Sequence, residues 1–289
     1  MSRRAEALMG TTVTIEVLAP DHDALIDRAF EWFHLVEETC TRFDPRSELC
    51  RLAVTTGVAV PVSRVLFEAV RFALHIAEVS HGAFDPTVGA ELQRRGFDRE
   101  HRTGERVPTL VDQEDDVSFR DVSIDEDAQT ITLHRPLLLD LGAVAKGLAV
   151  DLAARELAPL RDFAIDAGGD LYLAGANHDG RPWSVGIRHP RQAGACIAAV
   201  RVSNQAVCTS GDYERTKHHI IDPGSGKSPD GVASVTVVAD SAMLADALAT
   251  AAFVMGPDEG LPWLVRMGSE GLLVTDTLEV MKTDGWPGE

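Results

Sequence analysis

The sequence contains few basic residues for its length. Its 289 residues include 27 lysines and arginines against 45 aspartates and glutamates, which gives a net charge of −18. This balance argues against nucleic acid and anionic membranes as partners, because both bind basic protein surfaces. A phosphorylated ligand would have to be held by local cations or by a metal ion, against the negative field of the whole molecule.

Cysteine is also scarce. The four cysteines have no C-x-x-C or C-x-x-H spacing, which argues against a cysteine-based metal site or a redox motif. In a chain of this length we expect Cys40, Cys50, Cys196 and Cys208 to be buried thiols.

Long apolar runs are missing as well. No segment reaches the roughly 20 residues that span a bilayer, so we expect no transmembrane segment. No signal peptide and no lipidation cysteine precede the first predicted strand. These absences predict a cytoplasmic protein, or an extracytoplasmic one if a leader has been removed.

The residues that are present favour an α+β fold. Alternating β-branched residues at 12–17 and 235–239 predict strands, and apolar residues at helical spacing predict a few long helices. Strands occur in runs rather than in strict βαβ alternation, which favours a mixed but mainly antiparallel sheet. We expect a single domain over residues 1–289, with lobes of about 1–135 and 136–289 as an alternative division.

The most informative stretch runs from Asp140 to Asp151 and reads D-L-G-A-V-A-K-G-L-A-V-D. The apolar run at 137–139 predicts a buried strand, and the spacing after Gly147 predicts a helix. Lys146 then lies at a helix N-terminus, where backbone amides and a positive charge favour phosphate or another anion. The alternative is a packed strand-to-helix turn with a surface lysine, and the P-loop spacing is absent.

A second informative stretch is the segment between Ala242 and Met255, in which only Asp246 and Thr250 are polar. It predicts a buried helix with both oxygens on one face. A buried carboxylate is costly unless it is paired or bound to a metal. One interpretation pairs Asp246 with an arginine while Thr250 bonds its own helix carbonyl, and the other gives both residues to a metal ion.

Two adjacent histidines, His218 and His219, follow a predicted strand. Neighbouring side chains of an extended segment point to opposite sides, so both cannot ligate one metal in the usual spacing. An inward-facing histidine is either a core residue or part of a site.

Residues 140–151 resemble the D-x-G-x-x-A-K-G-x-x-x-D signature of the ApbE family, the FAD:protein FMN transferases. The resemblance extends from Met9 to Gly256, and Leu148 departs from it because an aromatic residue is usual there. The other matching segments are F-x-x-x-S-E-L at 43–49, G-x-F-D-P-T at 82–87, G-G-D at 168–170, T-S-G-x-Y at 209–213 and H-H-I-I-D-P at 218–223.

The resemblance implies Mg²⁺-dependent transfer of FMN from FAD to a threonine or serine hydroxyl of an acceptor flavoprotein, with release of AMP. It implies that His219 orients or deprotonates the attacking hydroxyl, and that Asp246, Thr250 and the backbone carbonyl of Ala143 hold the metal. We expect these groups to converge where the central turn, the His219 segment and the Asp246 helix meet. The implied FAD-binding residues are Met9, Phe43, Ala83, Phe84, Asp85, Asp140, Lys146, Gly168, Gly169, Ser210, Gly211 and Ile220.

Two other functions stay open at this point. One is an FAD pyrophosphatase, which would give FMN and AMP with water as the acceptor. The other is a non-catalytic flavin-binding protein with a decayed site, and the intact Lys146, His219, Asp246 and Thr250 count against it.

Overall fold

Within the residues that the structure describes, 1–100, 103–114, 116–213 and 219–288, the computed structural model contains thirteen strands and six α-helices. The strands are β1 (Ser2–Leu8), β2 (Thr11–Val17), β3 (Val60–Pro61), β4 (Val122–Asp125), β5 (Thr130–Leu133), β6 (Phe163–Ala167), β7 (Asp170–Ala174), β8 (Trp183–Arg188), β9 (Cys196–Val202), β10 (Gln205–Gly211), β11 (Val232–Ala239), β12 (Glu270–Thr275) and β13 (Val280–Lys282). The helices are α1 (Asp23–Cys40), α2 (Glu48–Ala53), α3 (Arg64–Val79), α4 (Gly89–Arg94), α5 (Gly142–Leu157) and α6 (Ala242–Arg266).

An eight-stranded sheet with the order β1-β2-β6-β7-β10-β11-β12-β13 forms the centre of the fold. Its ladders are antiparallel. Alternate side chains of its strands point to opposite faces, and each face has its own core. Helices α1, α3, α5 and α6 bury one face, and the β8–β9 hairpin buries the other face over β7, β10, β11 and β12. The prediction of an α+β fold with a mainly antiparallel sheet is confirmed.

The prediction of a strand at residues 137–139 is wrong, although its burial is correct. All three leucines are buried, but the segment pairs with no strand of the described chain. The Leu138 N–H donates to Oε1 of Gln113 at 2.8 Å, and the Leu138 carbonyl accepts from the N–H of Gly89 at 3.2 Å. Contacts with a side chain and with α4 therefore satisfy backbone groups that a ladder would otherwise use.

The sequence also predicts a hairpin of residues 196–202 and 205–209 around Ser203 and Asn204, and this pairing is wrong. The turn joins β9 to β10, but β9 pairs with β8 in a separate two-stranded sheet. Both edges of β10 are already occupied, by β7 and β11, so β9 has no edge of β10 to join. Cys196, at the start of β9, is exposed, whereas Cys40, Cys50 and Cys208 are buried as expected.

Helices α5 and α6 meet backbone to backbone at Gly147. A Cβ atom at this position would lie 2.4 Å from the Cα and 2.5 Å from the nitrogen of Met243. One turn further along α5, the Asp151 carboxylate accepts hydrogen bonds from the N–H groups of Ala242 (2.7 Å) and Met243 (3.0 Å). A side chain of α5 therefore caps the first turn of α6, in addition to the N-cap of that helix, Ser241.

Helix α6 contains a break at Gly256. This residue has φ 77° and ψ −177°, which falls outside the helical region and favours glycine. The helix predicted to end at Gly256 is therefore the first of two helical segments. Within the described residues, no helix combines the length and the apolar composition needed to cross a bilayer.

We expect Gly147→Ala to destabilise the fold. Helix propensity alone would make alanine about 1 kcal/mol more stable than glycine at an interior position. The clash with Met243 should reverse this sign and cost about 1–3 kcal/mol, because a methyl group forced into a packed contact separates the helices. Urea unfolding measures the difference, and a variant at least as stable as the wild type would contradict the close contact.

Candidate active site

A cavity forms where three parts of the chain converge. They are the turn at the start of α5, the segment 219–221 and the first half of α6. The sequence predicted that these three parts meet. Their meeting depends on the packing of distant segments and not on any one local motif. The predicted site residues that line the cavity are Ala83, Phe84, Asp85, Asp140, Ala143, Lys146, Ser210, His219, Ile220, Asp246 and Thr250.

Lys146 lies between two buried carboxylates at the floor of this cavity. Its Nζ forms a short ion pair with Oδ2 of Asp170 and lies 3.3 Å from Oδ2 of Asp246. Only 3% of Asp170 and 4% of Asp246 are exposed. Both carboxylates need a cation because they have lost most of their hydration, and the half-buried ammonium supplies it. Within the described residues the cation beside Asp246 is Lys146, and the alternative interpretation, in which an arginine pairs with Asp246, stays a prediction.

Asp246 and Thr250 share a face of α6, as the sequence predicted. The Oγ1 atom of Thr250 lies 3.0 Å from Oγ of Ser210 on β10, so the threonine hydroxyl is directed toward the sheet. Ala143, which lines the same cavity, departs from helical geometry with φ −92° and ψ 15°. In the described part of the chain no group of three or more His, Cys, Asp or Glu side chains forms a metal cluster.

Asp140 is paired with a buried arginine that the sequence analysis did not select. Nε of Arg42 donates to Oδ2 of Asp140, its Nη1 donates to the carbonyl of Phe97 at 2.7 Å, and its Cζ lies 4.2 Å from the ring centre of Phe43. Oδ1 of Asp140 accepts from the N–H of Gly142 at 2.9 Å and so fixes the start of α5. Arg42 follows α1 as an isolated base, and no sequence pattern marks it as buried.

Asp85 is buried at one end of the cavity. Its carboxylate accepts from the N–H (2.9 Å) and the hydroxyl (2.8 Å) of Thr87, and from the N–H of Phe119 (3.0 Å). Burial raises the pKa of this carboxyl above its ordinary value, although the three hydrogen bonds act in the opposite direction. Asp85 thus shapes the turn that presents Phe84 to the cavity.

His219 also lines the cavity. Its ring contacts the ring of Phe97 edge-on, with 6.4 Å between ring centres and an interplanar angle of 63°. Ile220 follows it and is also buried. The expectation that His218 faces away falls outside the described residues.

The remaining predicted residues lie around this cavity. Met9 and Phe43 line an adjoining cleft that shares Asp140 and Lys146 with it. Gly168 and Gly169 line a third groove, which also includes Lys146. Gly211 ends β10 beneath the ring of Tyr213 and lines none of these three spaces; a Cβ atom on Gly211 would lie 2.7 Å from that ring.

Asp170 is the second functional candidate that sequence reasoning missed. The G-G-D segment drew attention to its two glycines, but the acid is the residue that contacts Lys146. Its signal was weak because an aspartate that follows two glycines is usually part of an exposed turn. Burial of the first residue of β7 became visible only in the structure.

Comparison with known proteins agrees with this geometry. Residues 9–273 match the ApbE family. A FAD:protein FMN transferase from Haemophilus influenzae is 34% identical over 239 residues, which cover 74% of this chain and 68% of the relative. One from Rhodobacter capsulatus is 33% identical over 256 residues, which cover 82% of this chain and 47% of the relative.

The fold has a close counterpart among solved structures. The crystal structure of the ApbE protein from Thermotoga maritima superposes with a TM-score of 0.86 and 28% sequence identity. The match covers 98% of this chain and 97% of that one. Sequence, fold and the residues of the cavity agree, and the chain belongs to the ApbE family.

Proposed function

We propose that this protein transfers FMN from FAD to a threonine or serine hydroxyl of an acceptor protein and releases AMP. The observation that carries the proposal is the meeting of Lys146, His219 and the Asp246–Thr250 pair in one cavity. The two relatives that are named FAD:protein FMN transferase support FAD as the donor and a protein as the acceptor.

The reaction displaces AMP from the FMN phosphorus. The acceptor oxygen forms a bond to that phosphorus, the bond between the phosphorus and the bridging oxygen breaks, and AMP leaves with the electron pair. Such displacements depend mainly on positioning and on stabilising charge at the phosphoryl oxygens. Among the described residues that line this cavity, Lys146 and Arg42 supply positive charge for this task.

The donor atoms of the cavity fit a hard divalent cation. Asp246 offers a buried carboxylate, Thr250 a hydroxyl, and Ala143 a carbonyl in a turn that departs from helical geometry. Mg²⁺ prefers such oxygen ligands and completes its shell with water and substrate phosphate. We infer that these three residues would hold Mg²⁺, which would supply additional positive charge next to the pyrophosphate.

His219 is the candidate for the proton transfer. An imidazole titrates near neutral pH and can accept the proton of the attacking hydroxyl. His219 lines the same cavity as Lys146 and Asp246, which supports this role. Phe84 and Asp85, at a further wall, are proposed to border the adenine side of FAD.

The products of FAD cleavage test the proposed function. The protein is incubated with FAD and Mg²⁺, with and without a pool of synthetic peptides that carry a central threonine. We expect AMP together with peptide-bound FMN, detected by mass spectrometry, and loss of both products on addition of EDTA. Free FMN with AMP in equal amounts in both reactions would indicate a hydrolase. An absence of cleavage would indicate a flavin-binding protein.

The metal assignment predicts different effects for the two residues on α6. Asp246→Asn should abolish AMP release, because it removes the charged ligand. Thr250→Val keeps the shape of the side chain but removes the hydroxyl, and should raise the Mg²⁺ concentration for half-maximal activity about tenfold. A Thr39→Val variant on α1 controls for the substitution itself. Wild-type Mg²⁺ dependence in both α6 variants would contradict the metal site.

The role of His219 predicts a loss of turnover rather than of fold. His219→Ala should lower AMP release at saturating FAD and Mg²⁺ by about 10²–10⁴-fold, the usual value of general-base assistance. The exposed His75 on α3 provides a matched histidine-to-alanine control. Near-wild-type turnover of His219→Ala would remove this residue from the mechanism.

A further inference from the structure

Arg95 follows α4 directly and contacts a turn about 130 residues further along the chain. Its Nη1 donates to Oγ of Ser228 at 3.1 Å, and its Nη2 forms a short hydrogen bond with the carbonyl of Gly226. Its Nε donates to Oε1 of Glu91 at 2.8 Å, which orients the guanidinium. A planar group with several donors is suited to hold two chain segments at once.

The contacted turn, residues 222–228, is closed by its own hydrogen bonds. The N–H of Asp222 donates to the carbonyl of Lys227 (2.7 Å), and the N–H of Gly226 donates to the carbonyl of Asp222 (2.9 Å). The Asp222 carboxylate accepts from the N–H of Gly224 (2.9 Å) and the hydroxyl of Ser225 (2.6 Å). Because the turn is internally bonded, a contact at its far end also restrains its beginning.

The turn begins where the His219 segment ends. Ile220 and Ile221 connect the two, and both are buried. The first residue of α4, Gly89, contacts the segment that leads to Asp140. Its N–H donates to the Leu138 carbonyl, and a Cβ on Gly89 would lie 2.4 Å from that oxygen. Arg95 therefore connects the wall of the cavity that carries His219 to the element packed beside Asp140.

We infer that Arg95 is a positioning residue, which acts through the 222–228 turn to hold His219 and Ile220 at the edge of the cavity. The catalytic consequence rests on the proposed function, whereas the mechanical link can be measured without it. Arg94 offers a matched control. It is the neighbouring arginine and pairs with the same Glu91 carboxylate at 3.3 Å, whereas the hydrogen bonds to Gly226 and Ser228 come from Arg95.

The mechanical link is tested by amide hydrogen exchange, followed by mass spectrometry on peptides that cover residues 219–228. Arg95→Gln should accelerate exchange of the Asp222 and Gly226 amides about tenfold, because the turn loses two hydrogen bonds to α4. Arg94→Gln should leave these rates unchanged. Equal exchange of the turn in Arg95→Gln and in the wild type would overturn the inference.

The catalytic consequence is tested by AMP release at saturating FAD and Mg²⁺. Arg95→Gln should lower turnover about tenfold or more, since small displacements of catalytic groups are costly. Arg95→Lys keeps a donor for the Gly226 carbonyl and should recover most of the activity. If Arg95→Gln and Arg95→Lys have equal melting temperatures, a difference in stability does not explain this recovery. Faster exchange with unchanged turnover would show that the turn does not position His219. A wild-type protein that releases no AMP would contradict the proposed function and leave the exchange result as the measure of the link.

Discussion

The contact between α5 and α6 at Gly147 is the constraint on which the candidate site depends. Because no side chain separates the helices, Lys146 comes within 3.3 Å of Asp246, one turn into the neighbouring helix. Asp151 fixes the same pair of helices one turn further on. A larger separation would break the contact between Lys146 and Asp246. The close packing of α5 and α6 therefore determines the distance between the charged groups of the cavity.

The same arrangement explains how a protein with a net charge of −18 can accept an anion. Around the cavity, Asp140 is paired with Arg42, and Asp170 and Asp246 are paired with Lys146. An incoming pyrophosphate would compete with these carboxylates for the same cations. A divalent ion at Asp246 would resolve this competition, because it neutralises the carboxylate while Lys146 keeps its contact with Asp170.

Much of this site could be predicted from local patterns, and its missing parts share a physical cause. The shared face of Asp246 and Thr250 follows from helical periodicity. The prediction of a turn around Lys146 is wrong, because α5 already begins at Gly142 and both Lys146 and Gly147 lie inside it. Which cation meets Asp246 depends on packing between distant helices, which spacing does not encode. For the same reason, residues 137–139 were correctly predicted to be buried but wrongly assigned to a strand. A run of leucines indicates burial, but it does not indicate which groups form hydrogen bonds with its backbone N–H and carbonyl groups.

The break at Gly256 separates two helical segments that the chain could have built as one. In an uninterrupted helix each residue turns the chain by about 100°, so an insertion anywhere rotates one end relative to the other. A left-handed residue between the segments removes this dependence. The direction in which Asp246 and Thr250 point around the helix axis is set by the segment that follows Ser241. A change of length beyond Gly256 does not alter this direction. A change of length in the second half of α6 would therefore not rotate the oxygens of the cavity.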